Sequence, residues 1–275
     1  MMRGLALLLP AVLLAGCVAV PGAMDEDHLA RPQAITGEAF PDLDSGFNEQ
    51  QSLHFAVRAY GNGKAMQTAD LAETAYQRIM VDTGLSSFQP LGGRCKIMIY
   101  ANADEYRKKT GQPGWSNSVV VSGSIYSYEG GHLDRMLSHE LTRLIFYDYM
   151  GHTNIDHRWV SEGLAIYEED KAGQPASGGV ASPMPAWPQG WQPLPMDSII
   201  HMVPASDRDR TISAWHLQVE SLVRFMIERG GRIGFGQFLG DLRQDAVFDK
   251  AVADAFSGTW RDLPDLYSAW VRAQQ

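Results

Sequence analysis

Apolar and polar residues alternate over short stretches in the first half of the chain, a pattern that favours β-strands. The predicted strands are residues 53–60, residues 95–100 and a hairpin of 119–121 and 124–128 around Ser122 and Gly123. Elsewhere apolar residues recur every three or four positions, as on the buried face of a helix. The predicted helices are residues 65–81, 102–109 (capped by Asn102 and ended by Gly111), 132–150, 159–170, 211–229 and 246–256. Strands early and helices late are typical of the α+β class.

The N-terminus has the pattern of an export signal. Arg3 precedes an apolar stretch at residues 5–14, which is shorter than the ~20 residues of a membrane-spanning helix. The following Leu-Ala-Gly and Cys17 resemble a bacterial lipobox, which implies that Cys17 is acylated and anchors the mature chain to a membrane. Val18 then implies the periplasmic face of the outer membrane as the location in the cell envelope. The alternative is an ordinary signal peptide that contains a cysteine by chance.

The pattern divides the chain into five regions. They are a signal peptide at 1–16, a flexible tether at 17–46, a sheet and helix-pair region at 47–170, a Pro/Trp-rich loop at 171–195 and a C-terminal helical lobe at 196–275. Prolines, glycines and acidic residues interrupt any period in the tether. The loop contains six prolines together with Trp187 and Trp191, and it is interpreted either as a lid or binding surface or as a disordered connection.

The charge balance narrows the range of partners. Removal of residues 1–16 takes away only Arg3, so the mature chain carries 22 Lys and Arg against 32 Asp and Glu. An acidic chain of this kind argues against nucleic acid as the main partner. If Cys17 is acylated, Cys95 has no second cysteine in the chain with which to form a disulfide.

The predicted helix 132–150 carries the candidate chemistry. Its apolar second half contains His139, Glu140 and Arg143, and buried ionisable groups of this kind need a charged partner or a metal. Positions i and i+4 share a helix face, so an HExxH sequence presents two histidines to one zinc ion while the glutamate polarises the metal-bound water. Here Arg143 takes the fifth position, and Glu162 follows His139 by 23 residues at the start of the next helix.

Two motifs, HELTRL at 139–144 and WVSEGLAIY at 159–167, resemble the peptidase MA-like family of gluzincin metallopeptidases. The similarity extends from about residue 52 to the C-terminus. It implies a thermolysin/gluzincin-like domain with a small mixed sheet, an active-site helix pair and a C-terminal helical lobe.

The resemblance also implies roles for individual residues. His139 and Glu162 would be zinc ligands, and Glu140 would be the general base. Tyr126 and Tyr128 would lie on the strand that lines the cleft and pairs with an extended peptide. Alternatively, these two tyrosines are ordinary sheet residues.

Arg143 departs from the family pattern, because a protonated guanidinium has no lone pair for a metal and repels Zn²⁺. One alternative is a metal-free ion pair of Arg143 with Glu162, and with Glu140 as a further partner. The other is a substitute zinc ligand. The histidines considered for that role are His152, His157 and His216, while His132 lies about 10 Å along the helix from His139 and is too far away.

Three functional classes stay open on this basis. The favoured one is a zinc-deficient pseudopeptidase that binds a peptide or protein through the inherited cleft and needs no cofactor. The second is an active zinc metallopeptidase that cleaves peptide bonds with a substitute ligand. The third is a scaffold lipoprotein whose cleft binds nothing.

Overall fold

The computed structural model describes residues 39–85, 93–173, 191–202 and 210–274. The predicted signal peptide, Cys17 and Trp187 lie outside these ranges. No helix within them is long and apolar enough to cross a membrane.

Five strands of the described residues form one mixed sheet. They are β1 (Phe47–Gln51), β2 (Phe55–Tyr60), β3 (Cys95–Tyr100), β4 (Ser118–Val121) and β5 (Ser124–Tyr128). The order across the sheet is β1-β2-β3-β5-β4. The three inner strands are parallel to each other, and each outer strand is antiparallel to its neighbour.

Nine α-helices lie in the described ranges, and most of them follow the sheet in sequence. They are α1 (Asn62–Thr83), α2 (Ala103–Thr110), α3 (Leu133–Met150), α4 (Arg158–Ala172), α5 (Met196–His201), α6 (Arg210–Gly230), α7 (Arg232–Arg243), α8 (Phe248–Ala255) and α9 (Leu263–Ala273). A 3₁₀ turn at Ile155–His157 connects α3 to α4. The mixed content of helices and strands is compatible with the predicted α+β class, and each predicted element is found close to its expected bounds.

The two faces of the sheet contribute to different cores, because successive side chains of a strand point to opposite sides. Val57, Ile97 and Ile125 face α1 and belong to the large core that includes most of the helices. Met98 and Tyr126 face the other way and form a smaller cluster with the segment before β1.

That segment corrects one predicted boundary. Leu43 is only 6% exposed, and the carbonyl oxygen of Pro41 accepts a hydrogen bond of 2.9 Å from the Tyr100 hydroxyl. The predicted tether, 17–46, is therefore too long at its C-terminal end, because residues 39–46 already pack on the sheet.

The end of the Pro/Trp-rich segment also packs against the core. The ring of Trp191 meets that of Trp270 edge-on, with centroids 6.0 Å apart. The backbone of Leu194 exchanges two hydrogen bonds of 2.8 Å with the Gln218 side chain on α6. Trp191 is therefore anchored to the helical core at the end of the predicted loop.

Candidate functional site: a charged pair of helices

Helices α3 and α4 pack side by side and bring the two sequence motifs together. His139 projects from α3 and Glu162 from the first turn of α4, and Nε2 of the histidine lies 3.8 Å from Oε2 of the glutamate. The side chains are 21% and 12% exposed, respectively. The structure thus places both candidate zinc ligands at one point of the helix pair.

Arg143 reaches the same carboxylate from the next turn of α3. Its Nε lies 3.2 Å from Oε1 of Glu162, and its side chain is only 7% exposed. Burial by itself raises the pKa of Glu162, but the charges of Arg143, His139, His216 and Arg158 outweigh burial and lower it. Glu162 is therefore ionised at neutral pH and lies between the guanidinium of Arg143 and the imidazole of His139.

His139 has a second carboxylate partner that sequence reasoning missed. Its Nδ1 lies 3.1 Å from Oε2 of Glu169, and the other oxygen of Glu169 lies 3.3 Å from Arg135 Nη2. Burial opposes protonation of His139, but the hydrogen bond with Glu169 and the charges of Glu162 and Glu140 prevail and raise the pKa of the imidazole. The imidazole is thus held between two carboxylates.

A line of basic side chains and carboxylates in alternation, which we call the charge chain, is formed by Arg135, Glu169, His139, Glu162 and Arg143. Spacing was the signal that could have revealed its missed members. Arg135 precedes His139 by four residues, and Glu169 follows Glu162 by seven, so each lies on the same helix face as a motif residue.

Glu140, the predicted general base, contacts the edge of the sheet. Its Oε1 accepts a hydrogen bond of 2.6 Å from the Ser118 hydroxyl at the start of β4, and its side chain is almost fully buried. Its Oε2 has no hydrogen-bond partner among the described residues. Ser118 was not anticipated from the sequence, because only the tertiary structure brings β4 to α3.

The outermost strand on this side of the sheet is β4. It joins β5 through a two-residue turn in which both Ser122 and Gly123 have positive φ angles, 50° and 74°. Val121 and Ser124 flank such a turn as a hydrogen-bonded pair, so the N–H and C=O of Val120 point away from β5. The sheet of the described residues ends at β4, which leaves these groups directed outward.

This order corrects the prediction for Tyr126 and Tyr128. Their strand, β5, lies between β3 and β4 and has no edge to which a peptide could add. Tyr126 is buried in the smaller core, and the Tyr128 hydroxyl donates to the side-chain oxygen of Asn117 at 2.7 Å. They are sheet residues, and the edge strand on this side of the sheet is β4.

The other histidines considered as ligands differ in position. The rings of His152 and His157 lie 6.0 Å apart beyond the C-terminal end of α3, where His152 Nε2 is 3.2 Å from Asp245. His152 follows His139 by thirteen residues, which is roughly 20 Å along a helix axis. His152, and His157 beside it, are therefore not placed to replace Arg143 as a zinc ligand. His216 on α6 is close enough for its charge to lower the pKa of Glu162.

Gly163 explains how α4 can approach α6 so closely. A Cβ atom at this position would lie 2.4 Å from the carbonyl oxygen of Val219, which belongs to the backbone of α6. The glycine that follows Glu162 in the motif therefore lets the two helices meet, which brings Glu162 near His216.

Replacing Gly163 with alanine is expected to force α4 and α6 apart and to lower the free energy of unfolding by about 1–3 kcal/mol. Denaturant-induced unfolding measures this change. Gly240→Ala is the matched control on α7, where the nearest atom to an added Cβ is the Tyr149 hydroxyl at 3.4 Å. There the better helix propensity of alanine should leave stability unchanged or raise it by about 0.5–1 kcal/mol. Equal effects of the two substitutions would contradict the close approach at Gly163.

No family model matches this chain, and no curated protein shows significant similarity to it. Within the described ranges, no group of three or more His, Cys, Asp or Glu side chains is placed to hold a metal ion. The relation to gluzincin peptidases stays a prediction carried by the two motifs.

Proposed function

We propose that this protein is an envelope lipoprotein with a gluzincin-like domain that has become a pseudopeptidase. In this proposal the paired helices retain the peptidase architecture, and the cleft beside them binds an extended segment of a peptide or protein without cleaving it. Acylation of Cys17 would hold the domain at the periplasmic face of the outer membrane.

The observation that carries the proposal is the ion pair between Arg143 and Glu162. A catalytic zinc ion normally has three protein ligands and an open position for water. His139 and Glu162 supply two, and the guanidinium 3.2 Å from Glu162 supplies a positive charge where the family has a third donor. This set of residues does not fit a zinc ion, but it balances its own charge without one.

The edge strand supports the binding part of the proposal. The outward N–H and C=O of Val120 offer a peptide the hydrogen bonds of an added strand. The side chains of Ser118 and Val120 point toward α3, where Ser118 bonds to Glu140. A peptide added to β4 would therefore run along the helix that carries the charge chain.

One observation favours the alternative of an active zinc peptidase. His216 is the one considered histidine, apart from His139 itself, whose charge lowers the pKa of Glu162, so it is the candidate for the substitute ligand. Displacement of Arg143 from Glu162 would also be required. Cleavage of a polypeptide that stops on addition of a chelator would support this alternative.

Labelled unfolded casein is a suitable probe because it offers many extended segments. We expect the mature protein to bind it, as measured by fluorescence anisotropy, equally well with and without chelator and with no hydrolysis. Val120→Pro removes the outward N–H at an edge position that tolerates proline. This substitution should weaken binding about tenfold, which corresponds to a loss of about 1.4 kcal/mol.

Val120→Ala is the control, because it shortens the side chain but retains the N–H group. Its affinity for casein should stay close to that of the wild type. Chelator-sensitive hydrolysis that Glu140→Gln abolishes would establish the zinc peptidase instead. Absence of both binding and hydrolysis would leave a scaffold lipoprotein, contrary to the proposal.

A further inference from the structure

A partly buried arginine on α1, Arg78, which is 21% exposed, contacts both helices of the charge chain. Nε of Arg78 donates to Oε2 of Glu168 on α4 at 2.7 Å, and its Nη2 donates to Ser138 Oγ on α3 at 2.7 Å. The same Nη2 also donates to the carbonyl oxygen of Glu168 at 3.2 Å. One guanidinium group thus bonds to both helices of the site from a third helix.

The two residues that Arg78 contacts are the sequence neighbours of a charge-chain pair. Ser138 directly precedes His139, and Glu168 directly precedes Glu169. Nδ1 of His139 lies 3.1 Å from Oε2 of Glu169. Ser138 and Glu168 are both fully buried. Because close-packed interiors resist small displacements, fixing these two positions also fixes the separation of His139 and Glu169.

The ionised form of Glu168, the carboxylate that Arg78 contacts, depends on the cations around it. Burial raises the pKa of Glu168 to about 7, and Asp82 adds to this shift, while Lys171 and Arg78 oppose it. Asp82 is itself buried and pairs with Lys171 and with Arg232, whose Nη2 lies 2.9 Å from Oδ1. A buried carboxylate of this kind depends on its cations.

We propose that Arg78 is a positioning residue for the charge chain, which keeps α3 and α4 in the register that joins His139 to Glu169. The planar guanidinium suits this role, because it directs several donors in fixed directions and a lysine ammonium does not. The inference rests on the proposed function only because it takes the charge chain as the functional site. The contacts of Arg78 themselves require neither peptide binding nor zinc.

The exchange of the His139 Nδ1 proton with water tests this role in protein labelled with ¹⁵N-histidine. In the wild type the hydrogen bond to Glu169 should protect this proton. Arg78→Gln should accelerate its exchange at least about tenfold, since a hydrogen bond to a charged group is worth that much or more. Arg78→Lys keeps the positive charge but loses the planar set of donors that reaches both Ser138 and Glu168. It should therefore also accelerate exchange.

Arg232→Gln is the matched control, because it removes a cation from the same buried network but from Asp82 alone. Its exchange rate should stay within about twofold of the wild type. If Arg78→Gln does not fold, Ser138→Ala removes only the attachment to α3 and should also accelerate exchange. Full protection in Arg78→Lys, or equal acceleration in Arg232→Gln, would overturn the positioning role. Casein binding tests the proposed function in a separate experiment. A failure of casein binding therefore does not affect the test of Arg78, and a failure of the exchange experiment does not affect the proposed function.

Discussion

Replacing Glu162 with glutamine is expected to lower the free energy of unfolding by about 3–5 kcal/mol, because it removes the carboxylate that pairs with the buried guanidinium of Arg143. The side chains of Glu162 and Arg143 are only 12% and 7% exposed, so water can do little to compensate. The pKa of Glu162 is lowered in the folded protein. Its contribution should therefore be present above the unfolded value of 4.5 and be lost as pH falls through the folded value. Denaturant-induced unfolding at several pH values measures both effects.

Glu49→Gln is the matched control for that experiment. Glu49 also pairs with an arginine, Arg58, at 2.9 Å, but its side chain is 34% exposed. A pair at the surface contributes about 0–1 kcal/mol, so this substitution should have little effect. The double variant Arg143→Gln/Glu162→Gln should recover part of the stability lost in Glu162→Gln. A loss in Glu162→Gln no larger than that in Glu49→Gln would show that the buried pair does not stabilise the fold.

Replacing Arg143 with histidine is expected to create a zinc site at the helix pair. The new imidazole would lie one helical turn from His139, and Glu162 would complete a set of two histidines and a glutamate. Two ligands of one tetrahedral zinc lie about 3.4 Å apart. His139 and Glu162 are 3.8 Å apart, so a small adjustment suffices.

The charge chain already supplies the support that a zinc-bound histidine needs. Nδ1 of His139 faces Glu169, so Nε2 is directed toward Glu162 and toward the new ligand. A carboxylate behind a metal-bound imidazole fixes its orientation and increases its affinity for the metal. The same hydrogen bond favours the protonated imidazole. Zinc must displace that proton, so its affinity should increase with pH.

We expect Arg143→His to bind close to one equivalent of zinc by calorimetry and to melt at a higher temperature when zinc is present. At free zinc of ~100 times the dissociation constant, this linkage is worth about 2.7 kcal/mol. Arg143→Gln is the control, since it removes the charge but adds no ligand, and its melting temperature should not respond to zinc. A folded Arg143→His protein that binds no zinc would mean that His139 and Glu162 do not converge as described.

Local patterns in the sequence were sufficient to predict most secondary-structure elements. The periodicity of apolar residues predicted α3 and α4, and Asn102 and Gly111 defined the ends of α2 because capping depends on neighbouring residues alone. Strand β1 escaped prediction, since its polar sequence FNEQQ has no strong alternation and its pairing with β2 is what makes it a strand. Non-local hydrogen bonds of this kind leave little trace in a short stretch of sequence.

For the candidate site, the sequence determined which residues carry the chemistry and that Arg143 departs from the zinc pattern, because helix spacing alone places residues on a common face. Only the tertiary structure decided which residues meet across elements. It joined Glu169 to His139, Ser118 to Glu140 and Arg78 to both helices of the site. It also showed that β4, and not the strand of Tyr126, is an outermost strand of the sheet that the described residues form. Packing between distant segments sets these contacts, and periodicity along one segment carries no information about the neighbours it will find.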